Sequence, residues 1–302
     1  MNIAEKLRTS RTYFDGGLGT LLQKRGLQSG ELPETWNITH PDALTDIHLS
    51  YMNAGSNVIT SNTFGANCLK FNNLEEIITA AFSNMKKAKE LFDGDKSGIY
   101  LAFDVGPLGK MLEPVGDFPF EKAVECFAES IRIADKCGFD LILIETMNDI
   151  YEAKAAVLAA KENSKLPVVI TTAFDENGTL MTGADVPAVV ACLEGLGVDA
   201  LGANCSLGPH RMKDIAKQFC EYSSLPVVIN PNAGIPHVEN GKTVFDVDAD
   251  EFSDVMAEIA TLGVCGLGGC CGTTPEYIKK TVELCHNVAP VPCEDEGLTV
   301  VT

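Results

Sequence analysis

The sequence predicts an α/β protein in which eight parallel strands close into a (β/α)8, or TIM, barrel. Short apolar runs, many of them β-branched, alternate with amphipathic helical stretches, and this alternation is typical of parallel βαβ units. The chain has 302 residues, an ordinary length for one barrel of this kind. An open doubly wound sheet is the alternative, because the alternation alone does not set the number of strands.

Each predicted strand is a short apolar run that ends at a turn or at the start of a helix. In a barrel of this type the chemistry lies at the carboxyl ends of the strands. In chain order the predicted strands are Tyr13–Asp15, Asn57–Thr60, Tyr100–Asp104, Leu141–Glu145, Val168–Thr172, Ala200–Asn204, Val227–Asn230 and Cys265–Gly268.

Helical signals fall between these strands. Ala123, Phe127, Ile131 and Ala134 recur at helical spacing and predict a helix over Phe120–Cys137. An asparagine–glycine pair after the seventh strand predicts a hairpin. The remaining predicted elements are helices at Pro41–Ala54 and Asp149–Ala160, a helix opened by Asp185-Val186-Pro187, and a hairpin within Pro236–Val247 around Asn240-Gly241.

The composition excludes several classes of partner. A formal net charge of −19 argues against nucleic acid and against an anionic membrane surface. The start of the chain lacks the apolar core of a signal peptide, and no apolar run reaches membrane-spanning length. We therefore expect a cytoplasmic protein. The eleven cysteines are an odd number, and in such a protein they favour free thiols and metal ligands over a disulfide framework.

The domain prediction is one barrel over residues 1–288 followed by a short tail over residues 289–302. The tail contains Pro290, Pro292 and the acidic run Glu294-Asp295-Glu296. This composition is typical of a linker, and we expect no further domain there.

Two adjacent cysteines stand in the segment Gly268-Gly269-Cys270-Cys271-Gly272-Thr273-Thr274-Pro275. Neighbouring residues on a regular strand point to opposite faces, so two sulfurs cannot reach one point there. The glycines supply the freedom to bend both sulfurs to one side, and Thr274-Pro275 predicts the start of a helix. The pair is therefore expected at a strand end, aimed at a cation.

A third cysteine lies in a second turn from strand to helix, Gly202-Ala203-Asn204-Cys205-Ser206-Leu207-Gly208-Pro209. Three cysteines on two strand ends predict a zinc site with Cys205, Cys270 and Cys271 as ligands and one position left open, as in catalytic sites. Cysteines that pack only as small hydrophobes, and a vicinal disulfide between Cys270 and Cys271, are the alternatives.

Two acidic residues are candidates for binding the polar end of a substrate. Asp15 ends the first strand and is followed by Gly16 and Gly17, whose N–H groups suit a carboxylate or phosphate, although a tight turn explains them nearly as well. Glu145 ends the apolar run at the fourth strand, where a helix cap or an ion pair is the alternative. Together Asp15 and Glu145 could hold an ammonium group.

These motifs resemble those of the zinc-dependent homocysteine S-methyltransferases, most closely the branch formed by the N-terminal homocysteine-binding module of cobalamin-dependent methionine synthases. The resemblance runs over nearly the whole chain, and the cysteine motifs are its most specific part. The stretches that carry it are Asp15–Thr20, Thr60–Ala66, Ala203–Pro209 and Gly268–Pro275, with Thr172–Gly183 and Pro231–Gly234 for the branch.

The resemblance implies a zinc ion on the three cysteines and an amino-group site at Asp15 and Glu145. Asn232 matches an asparagine that can complete the zinc shell of the methionine synthase branch in the absence of substrate. The implied reaction is transfer of a methyl group to the thiolate of L-homocysteine, giving L-methionine.

The methyl donor is expected to be methylcobalamin presented by a separate corrinoid-binding module or protein, since the branch stretches favour that relative. The folate, cobalamin and reactivation modules of methionine synthase have no counterpart in this sequence. The alternatives are S-methylmethionine or a betaine as donor, another thiol or a selenol as acceptor, and a barrel that binds zinc and a thiol without catalysis.

Overall fold

A computed structural model describes residues 1–239 and 242–289 of the chain. The strands are β1 (Thr12–Tyr13), β2 (Val58–Thr60), β3 (Tyr100–Val105), β4 (Leu141–Met147), β5 (Val168–Thr172), β6 (Ala200–Asn204), β7 (Val227–Asn230), β8 (Pro236–Glu239), β9 (Lys242–Phe245) and β10 (Gly266–Leu267). The α-helices are α1 (Ile3–Thr9), α2 (Leu18–Lys24), α3 (Trp36–Thr39), α4 (Pro41–Asn53), α5 (Leu74–Leu91), α6 (Phe120–Cys137), α7 (Ile150–Asn163), α8 (Val186–Gly195), α9 (Pro209–Tyr222), α10 (Ala249–Thr261) and α11 (Pro275–Cys285).

The parallel strands form a closed barrel. The strand order is β1-β10-β7-β6-β5-β4-β3-β2, and the two ends of this series meet where Phe14 pairs with Val58. Next to that pair, the Asn57 N–H donates to the Tyr13 carbonyl at 2.6 Å. The predicted (β/α)8 barrel is therefore confirmed. The doubly wound alternative is wrong, because an open sheet would leave β1 and β2 as unpaired edges.

The barrel interior is filled by side chains that alternate along the strands. They form one buried cluster: Phe14, Val58, Tyr100, Ala102, Leu141, Leu143, Val169, Ala200, Val228 and Cys265. Ile3 and Leu7 of α1 belong to the same cluster, so this helix closes the amino-terminal end of the barrel. The sequence analysis predicted no element at α1.

The interior becomes polar toward the carboxyl ends of the strands. Continuing the two-residue alternation places a ring of inward polar residues above the apolar cluster, and all are buried: Thr60, Asp104, Thr171, Asn204 and Asn230. This polar layer is the floor on which a site at this face of the barrel is built.

The helices surround the barrel over a second, larger apolar cluster. Helix α6 spans the predicted residues and ends at Gly138, whose φ of 100° needs glycine. Asp149 and Asp185 cap α7 and α8 by accepting hydrogen bonds from the N–H groups of Tyr151 and Ala188. No helix within the described part of the chain combines the length and the apolar character needed to cross a membrane.

Two predicted strands are shorter than expected. The observed β1 ends two residues before the end of the predicted strand Tyr13–Asp15, and β10 ends one residue before the end of the predicted strand Cys265–Gly268. Beyond both strands the two segments stay in contact, because the Gly269 N–H donates to the Asp15 carbonyl at 3.0 Å. The antiparallel strands β8 and β9 flank the predicted hairpin turn. That turn, Asn240-Gly241, lies outside the described residues, as does the predicted tail from residue 290 onward.

Arg11 connects the start of the barrel to the end of the described chain. Its side chain is buried, and its guanidinium donates to the carbonyl of Val264 and, through Nη2, to those of Ala260 at 3.1 Å and Val288 at 3.2 Å. One side chain therefore joins the residue before β1, the segment between α10 and β10, and the chain after α11.

Arg11→Met should lower the free energy of unfolding by about 2–4 kcal/mol, because several buried carbonyls lose a charged donor. Arg11→Lys keeps the charge but lacks the planar fork, so it should cost less. Urea unfolding of both variants measures the difference. A loss below about 0.5 kcal/mol for Arg11→Met would show that these contacts do not support the barrel.

Candidate functional site

Three cysteine sulfurs converge at the carboxyl face of the barrel. The Sγ atoms of Cys205, Cys270 and Cys271 all lie within 4.8 Å of one another, and those of Cys205 and Cys271 are 4.0 Å apart. All three are free thiols, and Cys271 is exposed. The vicinal disulfide considered from the sequence is therefore not formed, and the group has the spacing of a metal-binding set.

The two cysteine turns leave regular strand geometry by different means. After β6, Cys205 and Ser206 themselves adopt left-handed conformations, with φ of 59° and 56°. After β10, the left-handed position falls on Gly272, with φ of 85°. Non-glycine residues in this region are strained, and such residues cluster at functional sites. The left-handed backbone at Cys205 places its sulfur near the turn that carries Cys270 and Cys271, which we call the dicysteine turn.

Hydrogen bonds to β7 and the residues after it hold both turns in register. The Cys205 N–H donates to the Asn230 carbonyl at 3.1 Å, and the Cys270 N–H donates to the Pro231 carbonyl at 2.8 Å. The next residue, Asn232, accepts from the Cys271 N–H at 3.1 Å and donates from its side chain to the Cys205 sulfur. β7 therefore fixes the distance between the cysteine turns, and Asn232 lies buried between them.

Asn204 supports the site from below, and the sequence analysis gave it no role. Its Oδ1 accepts from the Thr146 N–H and the Thr171 hydroxyl, both at 2.8 Å. Its Nδ2 donates to Thr146 Oγ1 at 2.8 Å and to Cys270 Sγ at 3.7 Å. The same contacts hold Thr146, a β-branched residue with φ of 60°. This fully buried amide therefore ties Cys270 to the segment that follows Glu145.

The thiols share protons within the cluster. Hydrogen bonds from Cys270 and Cys271 lower the pKa of Cys205 to about 3. The same sharing raises the pKa of Cys271 to about 12 and that of Cys270 well above its usual range. The cluster thus favours a single thiolate and opposes three negative charges in one place. A bound divalent cation removes this opposition, and thiolates suit a soft metal such as zinc.

Asp15 is buried at the same face, next to β2. Its carboxylate accepts from the Thr60 N–H at 2.8 Å and from the Thr60 hydroxyl at 2.9 Å. Burial raises its pKa to about 7, although the Thr60 hydrogen bonds oppose the shift. The carboxyl group is thus held in place with no cation of the protein among its hydrogen-bonding partners in the described residues.

Glu145 and Asp104 complete a group of acidic side chains around Asp15. Burial, and then repulsion from Asp15 and Cys205, raise the pKa of Glu145 to about 8. Burial and repulsion from Glu145 and Asp15 raise the pKa of Asp104 well above its ordinary value. Asp104 Oδ1 accepts no hydrogen bond from the described residues. These carboxyl groups repel one another, so the site favours a cation from outside the chain.

Gly16 and Gly17 bring the first strand against the dicysteine turn. A Cβ on Gly16 would lie 2.6 Å from Thr273 Oγ1, and one on Gly17 would lie 2.7 Å from the Cys270 carbonyl oxygen. The Gly17 N–H donates to the Thr273 carbonyl at 3.1 Å. The absence of side chains at these glycines therefore lets the first strand pack closely against the dicysteine turn. The sequence analysis expected the Gly16 and Gly17 N–H groups to face a ligand, but the Gly17 N–H already donates within the protein.

The predicted site residues thus fall at one end of the barrel, and two further residues join them. Asn204 is the last residue of β6 and Asp104 is the last but one of β3, and inward alternation along the two strands is the signal that could have found them. Nothing in the sequence alone marks Thr146, because the hydrogen bonds that hold its left-handed backbone come from Asn204, two strands away on β6.

Comparison with known proteins places the chain among methyltransferases. The family profile described as homocysteine S-methyltransferase matches residues 12–285. Methionine synthases of Mycobacterium leprae and Mycobacterium tuberculosis are 32% and 31% identical to the chain, over 92% and 91% of it. The chain spans only 24% of the length of each of these relatives.

A solved structure shares the fold. The homocysteine methyltransferase MmuM of Escherichia coli, in its metallated form, superposes with a TM-score of 0.78 at 21% identity, over 92% of this chain and 98% of that one. Its apo form gives a TM-score of 0.73 at 20% identity. At this level of identity the similarity shows a common barrel.

The raised pKa of Glu145 predicts a pH-dependent stability. Between about 4.3 in the unfolded chain and about 8 in the folded protein, the folded state binds more protons than the unfolded state. Wild-type stability therefore falls as pH rises through this window. Glu145→Gln cannot titrate, so its free energy of unfolding relative to wild type should increase between pH 5 and pH 8, by about 1 kcal/mol or more.

Urea unfolding of the substrate-free protein at several pH values measures this difference. Glu176→Gln, on an exposed loop, is the control and should show no such trend. A Glu145→Gln difference that is constant over the window would contradict the assignment of a partly buried carboxyl group with a raised pKa.

Proposed function

We infer that this chain, which belongs to the homocysteine S-methyltransferase family, transfers a methyl group to the sulfur of L-homocysteine and so forms L-methionine. The observation that supports this proposal is that a cluster of three thiols and a group of carboxyl groups lie at the same mouth of the barrel. Three clustered thiols suit a metal that binds a sulfur, and a group of unneutralised carboxyl groups suits an ammonium group. Homocysteine carries both the sulfur and the ammonium group.

Zinc is the metal that we propose for Cys205, Cys270 and Cys271. Three protein sulfurs leave a fourth position open, as in catalytic zinc sites. When bound, zinc would lower the pKa of a substrate thiol, which ordinarily titrates near 8.5 and is mostly protonated at neutral pH, and it would do so without redox chemistry.

The chain's own residues keep this site in one shape. Asn204 orients the Cys270 sulfur from the polar layer, and Asn232 spans the two cysteine turns. Because both amides are buried and already bonded to the backbone or to strand-end hydroxyls, the sulfurs need little rearrangement when a substrate binds. A role for Asn232 as a ligand in the absence of substrate stays a prediction.

The substrate ammonium group is proposed to lie against Asp15 and Glu145, with Asp104 adding negative charge from the floor. Thr60 fixes the Asp15 carboxylate through two donors, which leaves lone pairs on both oxygens for a ligand. Burial, and then repulsion from Asp15 and Cys205, raise the pKa of Glu145; a nearby ammonium group would favour the ionised form, so binding should release protons from these carboxyl groups.

Methylcobalamin is the methyl donor that we propose, presented by a separate corrinoid-binding module or protein. Relatives of this chain named methionine synthase are about four times as long, so most of their sequence lies outside the part that matches. The exposed position of Cys271 supports this proposal, because a bulky donor must approach the sulfur site from outside the barrel.

Cys205→Ser should lower zinc content to a small fraction of one ion per chain, because only two thiolates remain. Cys192→Ser, on α8, is the matched control and should keep full content. Metal analysis after dialysis measures both. Since the site lies at the barrel mouth and the core lies elsewhere, the metal-free protein should stay folded. Full zinc occupancy in Cys205→Ser would remove that cysteine from the ligand set.

Glu145→Gln and Asp15→Asn should each weaken homocysteine binding by roughly 1.5–3 kcal/mol, the range for a hydrogen bond to a charged group. Calorimetry with zinc-loaded protein measures the loss. The analogue 4-mercaptobutanoate lacks the amino group, so its affinity should change little in either variant. Equal losses for homocysteine and for this analogue would show that the carboxyl groups do not hold the ammonium group.

The donor is tested by incubating zinc-loaded protein and homocysteine separately with methylcobalamin, S-methylmethionine, S-adenosylmethionine and glycine betaine. Free methylcobalamin should yield methionine slowly, and a methylated corrinoid protein should raise the rate because docking supplies orientation. Ready turnover of S-methylmethionine with none from either form of methylcobalamin would replace the proposed donor.

A further inference from the structure

A second pair of sulfurs lies in contact outside the metal-binding set. Cys68 Sγ is 2.9 Å from Cys126 Sγ. This is closer than an ordinary non-bonded contact of about 3.5–4.0 Å, and it exceeds the length of a disulfide bond by only about 0.9 Å. Cys68 follows β2 in the loop over residues 61–73, which we call the β2 loop, and Cys126 lies on α6.

The two thiols differ in access. Cys68 is partly exposed, whereas Cys126 is 8% exposed and packs in the apolar layer under α6. Burial, followed by the contact with Cys68, raises the pKa of Cys126 to about 12. A small oxidant from solution can therefore reach Cys68, whereas Cys126 is reached through Cys68.

We propose that Cys68 and Cys126 form a redox-active dithiol that a small disulfide such as oxidised glutathione converts to an intramolecular disulfide. The Cys68 thiolate attacks the oxidant, forming a mixed disulfide and releasing one reduced glutathione. The Cys126 sulfur then attacks Cys68, loses its proton and displaces the second glutathione. One protein disulfide forms, two protein thiols are oxidised, and two glutathione thiols carry away the protons and electrons.

The bond would attach the β2 loop to α6 beside the barrel mouth. The loop begins directly after Thr60, which holds Asp15, and several hydrogen bonds already attach residues 61–65 to the rest of the protein, among them those from Asn62 Nδ2 to the Pro33 carbonyl at 2.7 Å and from Thr63 Oγ1 to the Asp104 carbonyl at 2.8 Å. The Gly65 N–H donates to Glu34 Oε1 at 2.6 Å, and the Gly106 N–H donates to the Phe64 carbonyl at 2.9 Å. A covalent link at Cys68 would add a fixed point beyond these contacts and restrict the movement of the second half of the loop.

The test uses zinc-loaded protein, so that the other clustered thiols are protected by metal. The protein is incubated with oxidised glutathione, quenched with N-ethylmaleimide and digested for mass spectrometry. Wild type should yield a linked Cys68–Cys126 peptide with unchanged zinc content. Amide hydrogen exchange in the β2 loop should slow on oxidation, and unchanged exchange there would overturn the restriction of the loop.

Single variants separate the two steps. Cys126→Ser should accumulate the mixed disulfide at Cys68, and Cys68→Ser should leave Cys126 unmodified. Cys126→Ala repeats the first variant with an apolar side chain, which suits the buried position if serine disturbs folding. Glutathione that stays on Cys68 of wild type without forming the link, or modification of Cys126 in Cys68→Ser, would overturn the proposal.

Discussion

The site depends on one geometric constraint: three sulfurs from two different strand ends must approach within 4.8 Å. Extended strands cannot supply this, because successive side chains point to opposite faces. The chain meets the constraint with left-handed residues at Cys205, Ser206 and Gly272, and with hydrogen bonds that tie both turns to β7 and the residues after it. The barrel supplies the fixed framework against which this local strain is held.

The polar layer beneath the sulfurs places hydrogen-bonding and carboxyl groups next to the cysteine cluster. Asn204 contacts both Cys270 and Thr146, so the orientation of the three-cysteine cluster and the position of Glu145 are linked through one buried amide. Asp15 and Asp104 place two further carboxyl groups at the same level, and burial raises the pKa of both. A metal cation at the sulfurs and an ammonium group at the carboxyl groups would each offset the like-charge repulsion within one of these two neighbouring groups.

Much of this arrangement could be predicted from the sequence because it rests on local signals. The alternation of strands and helices predicted the barrel, and Asp185-Val186-Pro187 predicted the start of α8. The glycines around Cys270 predicted a bent turn. Each of these signals depends only on residues that are close together in the sequence, so the sequence alone is enough to predict them.

The remaining features arise from contacts between distant parts of the chain. Arg11 acts on carbonyls roughly 250 residues away, and Thr146 takes its strained conformation from Asn204 on another strand. The sequence analysis assigned no backbone conformation to Cys205, which adopts the left-handed conformation itself. Helix α1 differs, because a local capping box between Asn2 and Glu5 marks its start, and the sequence analysis did not use that signal.

X-ray absorption at the zinc edge tests the central claim most directly, because it counts the sulfur neighbours of the metal. Zinc-loaded protein should show three sulfurs around zinc before L-homocysteine is added and four after it is added. A count that stays at three in the presence of saturating homocysteine would contradict the account, since the barrel mouth would then hold a metal that does not bind the substrate sulfur.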